Sequence, residues 1–210
     1  MKMHDKLNIV GIGPGSKEYL TLGVVDLIEN SDVLVGSQRS LDLFDYVNAE
    51  FVVLQPRDIP KTVQTAVNKL HDGLVVTVLS TGDPGFSGML KTVKRLSPET
   101  KLNVVPGISS VQLAAAKLQI PWDTANLITI HGGKAPTDDL LERIDESKDN
   151  IILPNRHISE LAEYLIDNGF NPKHSMVICE KLSYADEQIV RVTLEEARNM
   201  DFGYMCVVVL

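Results

Sequence analysis

Residues Leu7–Thr21 read LNIVGIGPGSKEYLT. Leu7–Val10 is a short apolar run of the kind that fills a buried strand, and three glycines and a proline follow it before a segment with helical periodicity begins. A strand, a tight glycine turn and a helix form one βα unit, and a chain opening this way predicts further units of the same kind. Neither common phosphate loop fits the turn. A dinucleotide fingerprint needs glycines at its first, third and sixth positions, whereas Gly11 and Gly13 are followed by Gly15 and then Ser16. No acidic residue closes the next strand candidate, DVLVG, which ends in Val35 and Gly36. A Walker loop needs Gly-Lys-Ser/Thr, and the chain offers Ser16-Lys17-Glu18. Pro14 also removes an N–H from the middle of the loop. The turn therefore suits close backbone approach to a ligand, although by itself it reads equally as a turn that binds nothing.

Working outward, short runs rich in Val, Ile and Leu recur at Leu7–Val10, Val33–Val35, Phe51–Leu54, Leu74–Leu79 and Leu102–Val105. Helical patterns lie between them at Tyr19–Asn30, Ser40–Val47, Lys61–His71 and Ser87–Leu96, with a fifth at Ser109–Leu118 that Pro121 ends. That alternation predicts a parallel sheet covered on both faces. Past Trp122 the texture changes. Strand candidates Leu127–His131, Ile151–Leu153, Met176–Cys179, Glu187–Val192 and Met205–Leu210 are spaced by helices at Asp138–Ser147 and Ser159–Asn168 and a short one at Leu194–Asn199. The later strands follow too closely for a helical crossover each time, so antiparallel pairs are expected. The reading is two α/β domains, residues 1–118 with a mostly parallel sheet and 119–210 with a mixed sheet, and a ligand cleft between them.

Composition excludes several classes. A formal charge of −8 with no Lys/Arg cluster argues against nucleic acid. No segment approaches the roughly 20 apolar residues of a membrane span, and MKMHDKLNIV has no signal-peptide core, so a cytoplasmic protein is expected. Cys179 and Cys206 fall in strand-like runs and read as buried free thiols. The five histidines are scattered, with no pair at ligand spacing, and no protein-bound metal is expected.

Three more short loops stand at carboxyl ends of predicted strands, where open α/β sheets bind ligands. In STGDPGF, Asp83 offers an acceptor between Gly82 and Gly85, or is a locally bonded turn aspartate. In VVPGISS, Ser109 and Ser110 open a helix and serve either a ligand or an N-cap. ILPN brings a strand to Pro154 and Asn155. Each alone is a weak signal.

Taken in order and spacing, GIGPGSKEYLT, STGDPGF, PGISSVQLAAAKLQIPW, IHGGK and CEKLSYADEQIV resemble the tetrapyrrole methylases over essentially the whole chain. GSQRSLDLF, the ISSVQLAAAKL stretch and CEKLSYADE resemble the branch of cobalamin biosynthesis that methylates carbon 5 of cobalt-precorrin-7. The resemblance implies an S-adenosylmethionine-dependent methyltransferase acting on a reduced tetrapyrrole. Carried over by position, Pro14, Gly82, Asp83, Phe86, Ser109 and Ser110 would line the cofactor site, with Leu153 and Pro154 from the second domain. Gly13 would floor the cleft beneath the macrocycle. Arg39 and Lys134, with Arg156 and Lys181 as weaker candidates, would hold its carboxylates, although each alone reads as a solvated charge. No general base is implied, because the sulfonium leaves as a neutral thioether. Where relatives commonly carry glycine after the EQIV segment, this chain has Val192, whose side chain would crowd the adenosine. The resemblance further implies a homodimer, and a separate decarboxylating methyltransferase for carbon 15. A protein methyltransferase of the diphthamide type and a nonenzymatic ligand-binding module are the alternatives on the same fold.

Overall fold

The computed structural model describes residues 5–130, 139–154 and 157–210. The chain divides between Ser109 and Ser110 into two compact units. The first contains β1 (Leu7–Gly11), α1 (Leu22–Glu29), β2 (Val33–Gly36), α2 (Gln38–Asp42), β3 (Glu50–Val53), α3 (Ile59–His71), β4 (Val76–Ser80), α4 (Met89–Leu96) and β5 (Leu102–Val105). Its strands pair in the order β3-β2-β4-β1-β5, all parallel.

Alternation along each strand sends side chains to opposite faces. Leu7, Ile9, Val33, Val35, Val76 and Val78 share one core with Val63, Ala66, Val67 and Leu70 of α3 and Val93 of α4. Val10, Leu34 and Leu79 share the other with Val24 and Ile28 of α1, Leu41 of α2 and Phe44. Over β1, β2 and β4 both faces are dry, so those strands are mostly apolar runs rather than alternating ones, while the edge strands β3 and β5 stay partly exposed.

One row interrupts that pattern. Asn103 Nδ2 donates to Asn8 Oδ1 at 2.9 Å, Asn8 Nδ2 donates to Thr77 Oγ1 at 3.2 Å, and Thr77 Oγ1 lies 2.7 Å from Ser31 Oγ. Ser31 spends its own proton on Leu27 O at 2.7 Å, so Thr77 is the donor between the two hydroxyls. The row crosses β5, β1 and β4 and ends just past α1. It fits the observed register alone, in which Asn8 stands opposite both Thr77 and Asn103, because a one-residue slip buries these groups unpaired.

The expected helix Tyr19–Asn30 is broken. A 3-10 turn at Lys17–Tyr19, capped by Ser16, precedes an extended Leu20, and Thr21 then caps α1 by accepting from Val24 N. Two hydroxyls placed to start helices outweigh the continuous apolar periodicity.

The second unit contains α5 (Ser110–Leu118), β6 (Asn126–Thr129), α6 (Asp139–Arg143), β7 (Asn150–Leu153), α7 (Ile158–Asp167), β8 (Ser175–Glu180), β9 (Gln188–Thr193), α8 (Leu194–Ala197) and β10 (Cys206–Val209). Its order is β6-β7-β10-β8-β9, with β6 and β7 parallel and the remaining pairs antiparallel. Ile128, Ile152, Met176, Ile178 and Val208 pack with Leu140 of α6, Ile158, Leu161 and Leu165 of α7 and Leu194 of α8. α5 lies with this unit, against β7 and β10, rather than on the first-domain side of a boundary at Leu118–Gln119. It buries Val111, Leu113, Ala114 and Ala115, and those apolar residues need a sheet to cover. Gln119, with φ of 59°, ends the helix two residues before Pro121.

Among the described residues no helix is long and apolar enough to cross a membrane, and no group of three His, Cys, Asp or Glu stands where a metal would be held. Cys179 is opposite Val207 while Cys206 is opposite Glu180, so the two thiols point to opposite faces of the sheet and cannot bridge. Burial pushes the Cys179 thiol up to about 11 and that of Cys206 up to about 12.

Both cysteines should resist a thiol-specific reagent at pH 8 in the native protein, and two thiols should react once the chain is unfolded. Asn8→Ala should lower the unfolding free energy by about 1–3 kcal/mol, since it strands Thr77 and Asn103. Gln64→Ala on the exposed face of α3 should stay within about 0.5 kcal/mol. Urea denaturation compares the two variants.

Candidate functional site

The strand order fixes where a ligand can sit. From β1 the chain leaves to α1 on one face of the sheet, and from the adjacent β4 it leaves to α4 on the other. Between neighbouring strands whose connections diverge, a crevice opens at their carboxyl ends. The two glycine loops, Gly11–Gly15 and Gly82–Gly85, are the segments that leave those ends.

Here the loops touch backbone to backbone. Gly13 and Gly82 form a bridge in which Gly82 N donates to Gly13 O at 2.7 Å, and Ile12 N donates to Ser80 O at 2.9 Å. Gly13 and Gly82 both have positive φ, 75° and 66°, which glycine alone adopts without cost. The loop after β5 joins them. A Cβ added to Gly11 would stand 2.6 Å from both Gly107 Cα and Gly82 O, and one added to Gly107 would stand 2.5 Å from Gly82 O and from Gly11 C. No side chain fits at either position.

Asp83 ties the same junction from above. Its Oδ1 accepts from Gly85 N at 2.7 Å and its Oδ2 from Gly107 N at 3.2 Å, so its carboxylate bridges the β4 and β5 loops. Asp83 is thus a locally bonded turn aspartate that also reaches the β5 loop. Ser80 closes the other side: its Oγ accepts from Met89 N at 3.2 Å at the start of α4. A Cβ on Gly88 would fall 2.6 Å from that oxygen and 2.5 Å from Asp83 O.

The amides of Ile12, Gly82, Gly85 and Gly107 are therefore spent within the junction. A phosphate cradle needs such amides turned outward. This donor set fits a phosphate-free ligand that packs on backbone, and S-adenosylmethionine is of that kind.

The first unit places Pro14 (buried), Gly13, Gly82, Asp83, Phe86 and Ser109 (buried) on the three loops leaving β1, β4 and β5. Arg39, half-buried in α2, follows β2 on the same edge, two strand spacings or about 10 Å from β1. In the second unit Ser110 begins α5, Leu153 ends β7, and Pro154 is buried just after it. Lys134 and Arg156 lie outside the described residues. Val192 sits inside β9 opposite Met176, half-buried, and packs against the second unit's core. Sequence reading left Gly11 and Gly107 out of the site. Their signal was a glycine in or just past each of two strands, which means close backbone approach.

Residues 6–198 match the family described as Tetrapyrrole (Corrin/Porphyrin) Methylases. The chain is 40% identical over 202 residues to a probable cobalt-precorrin-7 C(5)-methyltransferase of Methanocaldococcus jannaschii, covering 96% of this chain and 95% of that one. It is 27% identical to a decarboxylating precorrin-6Y C(5,15)-methyltransferase of Sinorhizobium sp, where the match covers 94% of this chain and 46% of the relative. Its fold is that of a uroporphyrin-III C-methyltransferase of Thermus thermophilus solved with S-adenosylhomocysteine, at a TM-score of 0.79 and 19% identity, over 98% of this chain and 91% of that one.

Gly107→Ala should force the three loops apart, and the loss should appear both as a lower unfolding midpoint and as weaker ligand binding by calorimetry. Gly23→Ala in α1, where an added Cβ meets nothing within 4 Å, should instead be neutral or stabilising by up to about 1 kcal/mol.

Proposed function

We propose, from the premise that the chain belongs to the tetrapyrrole methylase family, that it methylates carbon 5 of a cobalt-precorrin in cobalamin biosynthesis with S-adenosylmethionine as donor. The observation that carries this reading is the glycine junction at the carboxyl ends of β1, β4 and β5, where the amides of Ile12, Gly82, Gly85 and Gly107 are spent inward and backbone meets backbone, which suits a phosphate-free ligand.

Pro14, Gly82, Phe86, Ser109 and Ser110 would hold the cofactor, with Leu153 and Pro154 as the second unit's share. Asp83 acts there as a positioning residue, because its two oxygens fix the loops that carry the contacts. Bound S-adenosylmethionine supplies an electrophilic methyl group whose sulfur departs as a neutral thioether. The protein's work is then placement. Holding acceptor and donor in line and out of water contributes on the order of 7–11 kcal/mol to such reactions. Rigid backbone loops do this without a titrating group, which accords with a junction made of glycine, proline and one bridging carboxylate. Gly13 would floor the acceptor site, while Arg39 and Lys134 would answer the acceptor's carboxylates.

Val192 was the one feature favouring a nonenzymatic binding module, and its packing against the second unit's core supplies a structural use for that side chain. A separate decarboxylating methyltransferase for carbon 15 is part of the same proposal; the Sinorhizobium sp relative that carries both activities in its name matches this chain over 46% of its own length. Two free, buried cysteines on opposite faces of a sheet suit the cytoplasm. A closed two-fold dimer is the assembly we assign.

Purified protein given S-adenosylmethionine and cobalt-precorrin-7 should add one methyl group, located at carbon 5 by NMR, and release no carbon dioxide. Two methyl additions with loss of a carboxylate, seen by mass spectrometry, would sink the single-function reading. Asp83→Ala should weaken cofactor binding by about 1–3 kcal/mol, through the loops it releases.

A further inference from the structure

The loop that follows β8 has a built conformation that the cofactor junction does not explain. Lys181 takes φ of 50° and Ser183 takes 74°, two left-handed non-glycine residues within three positions. Such conformations persist where the surroundings over-determine them, and they collect at ligand sites. The surroundings here are firm. Lys181 N donates to Met205 O at 2.8 Å, Leu182 is buried, and Glu187 accepts from Ser183 N at 2.8 Å while pairing with Lys117 Nζ at 2.7 Å. Burial alone would raise the Glu187 carboxyl, but the bonds from Lys117 and the Ser183 amide outweigh it and hold the group below its ordinary range.

Against that frame stands an ion pair of opposite character. Lys181 Nζ meets Asp186 Oδ2 at 2.5 Å, and the two side chains are 38% and 62% exposed. An open pair of this kind contributes little and can exchange partners. The Lys117–Glu187 pair cannot, because its carboxylate is also held by an amide and both side chains are more enclosed.

The position of the loop gives the exposed pair a use. β8 runs the same way as β6 and β7, since both β7 and β8 are antiparallel to β10. Its carboxyl end therefore lies on the edge where β7 delivers Leu153 and Pro154, two strand spacings or about 10 Å away. We infer that Lys181 binds a carboxylate of the methyl acceptor, with Asp186 as the resting counter-ion it exchanges and Glu187 as the residue that positions the loop. The inference rests on the reading that the acceptor is a polycarboxylate tetrapyrrole. In a chain of net charge −8, a cation kept available by a weak partner is worth more to such a ligand than one locked in a strong pair.

The test turns on sign. Steady-state kinetics with cobalt-precorrin-7 should show Lys181→Gln raising the acceptor KM about tenfold, as for loss of a charge-assisted hydrogen bond, with kcat and cofactor affinity unchanged. Lys181→Arg should restore most of that loss. Asp186→Asn should lower the acceptor KM about two- to fivefold, since it removes the competing carboxylate. The double variant should follow Lys181→Gln. Acceptor KM values that move the same way in both single variants, or not at all in an enzyme that turns over, overturn this inference and leave the methyltransferase reading standing. A wild-type protein that binds S-adenosylmethionine yet leaves cobalt-precorrin-7 unmethylated overturns both.

Discussion

The three-way backbone contact of Gly11, Gly82 and Gly107 is the constraint on which the rest of the first unit depends. It requires the ends of β1, β4 and β5 to be neighbours, and the sheet order supplies this by setting β1 between the other two. The order in turn needs the chain to cross from β1 over β4 to β2, go on to β3, return over β2 to β4, and cross over β1 to β5. Those reversals put α1 and α2 on one face and α3 and α4 on the other. A junction without side chains is thus both the product of the topology and the reason it cannot be varied locally. With any Cβ in the contact, the loops must separate, and the surface they jointly present is lost.

Buried side-chain amides hold strands in register in both units. In the first, the Asn103–Asn8–Thr77–Ser31 row fixes how far each central strand extends, and so where its carboxyl end falls. In the second, Asn150 is 2% exposed and fully bonded. Its Oδ1 accepts from Asn126 Nδ2 at 2.8 Å and Asp145 N at 3.0 Å, while its Nδ2 donates to Asp145 O and Lys148 O, both at 3.0 Å. That residue opens β7, the strand that ends at Leu153, three residues later. Polar groups in a dry interior add less to net stability than to register, because only one alignment satisfies all of them.

Much of the fold was legible because the central strands of the first sheet are buried on both faces. Val33–Val35 could be found as an unbroken apolar run, and β5 was bounded correctly at both ends despite Asn103 within it. What escaped were features decided by partners distant in sequence. The end of a helix pattern at Leu118 says nothing about which sheet covers Ala114 and Ala115, so α5 was expected on the wrong side of the boundary. The break before α1 was written in Ser16 and Thr21, but apolar periodicity spoke more strongly than two hydroxyls. Val192 read as a threat to a ligand because it was placed at the end of the expected strand, whereas β9 runs one residue further, to Thr193. The left-handed Lys181 and Ser183 were invisible, since neither residue type signals that conformation.

The glycine loops at the strand ends were legible for a different reason, although Gly11 and Gly107 were passed over. Chemistry that leaves a neutral thioether asks for placement and little proton transfer, and placement on loops is encoded in glycine and proline spacing rather than in titratable clusters. GIGPG, GDPG and PG each mark a strand end where backbone must come close to backbone. In the proposed reading the charged groups have a separate job: Arg39 follows β2 and Lys181 follows β8, each on the carboxyl edge of its own sheet, and they would answer a ligand's acidic periphery rather than its reacting carbon. Neither side chain is part of the three-glycine contact, so altering them would leave that contact untouched. The reverse does not hold: a change at Gly11 or Gly107 displaces the loops from which any positioning must start.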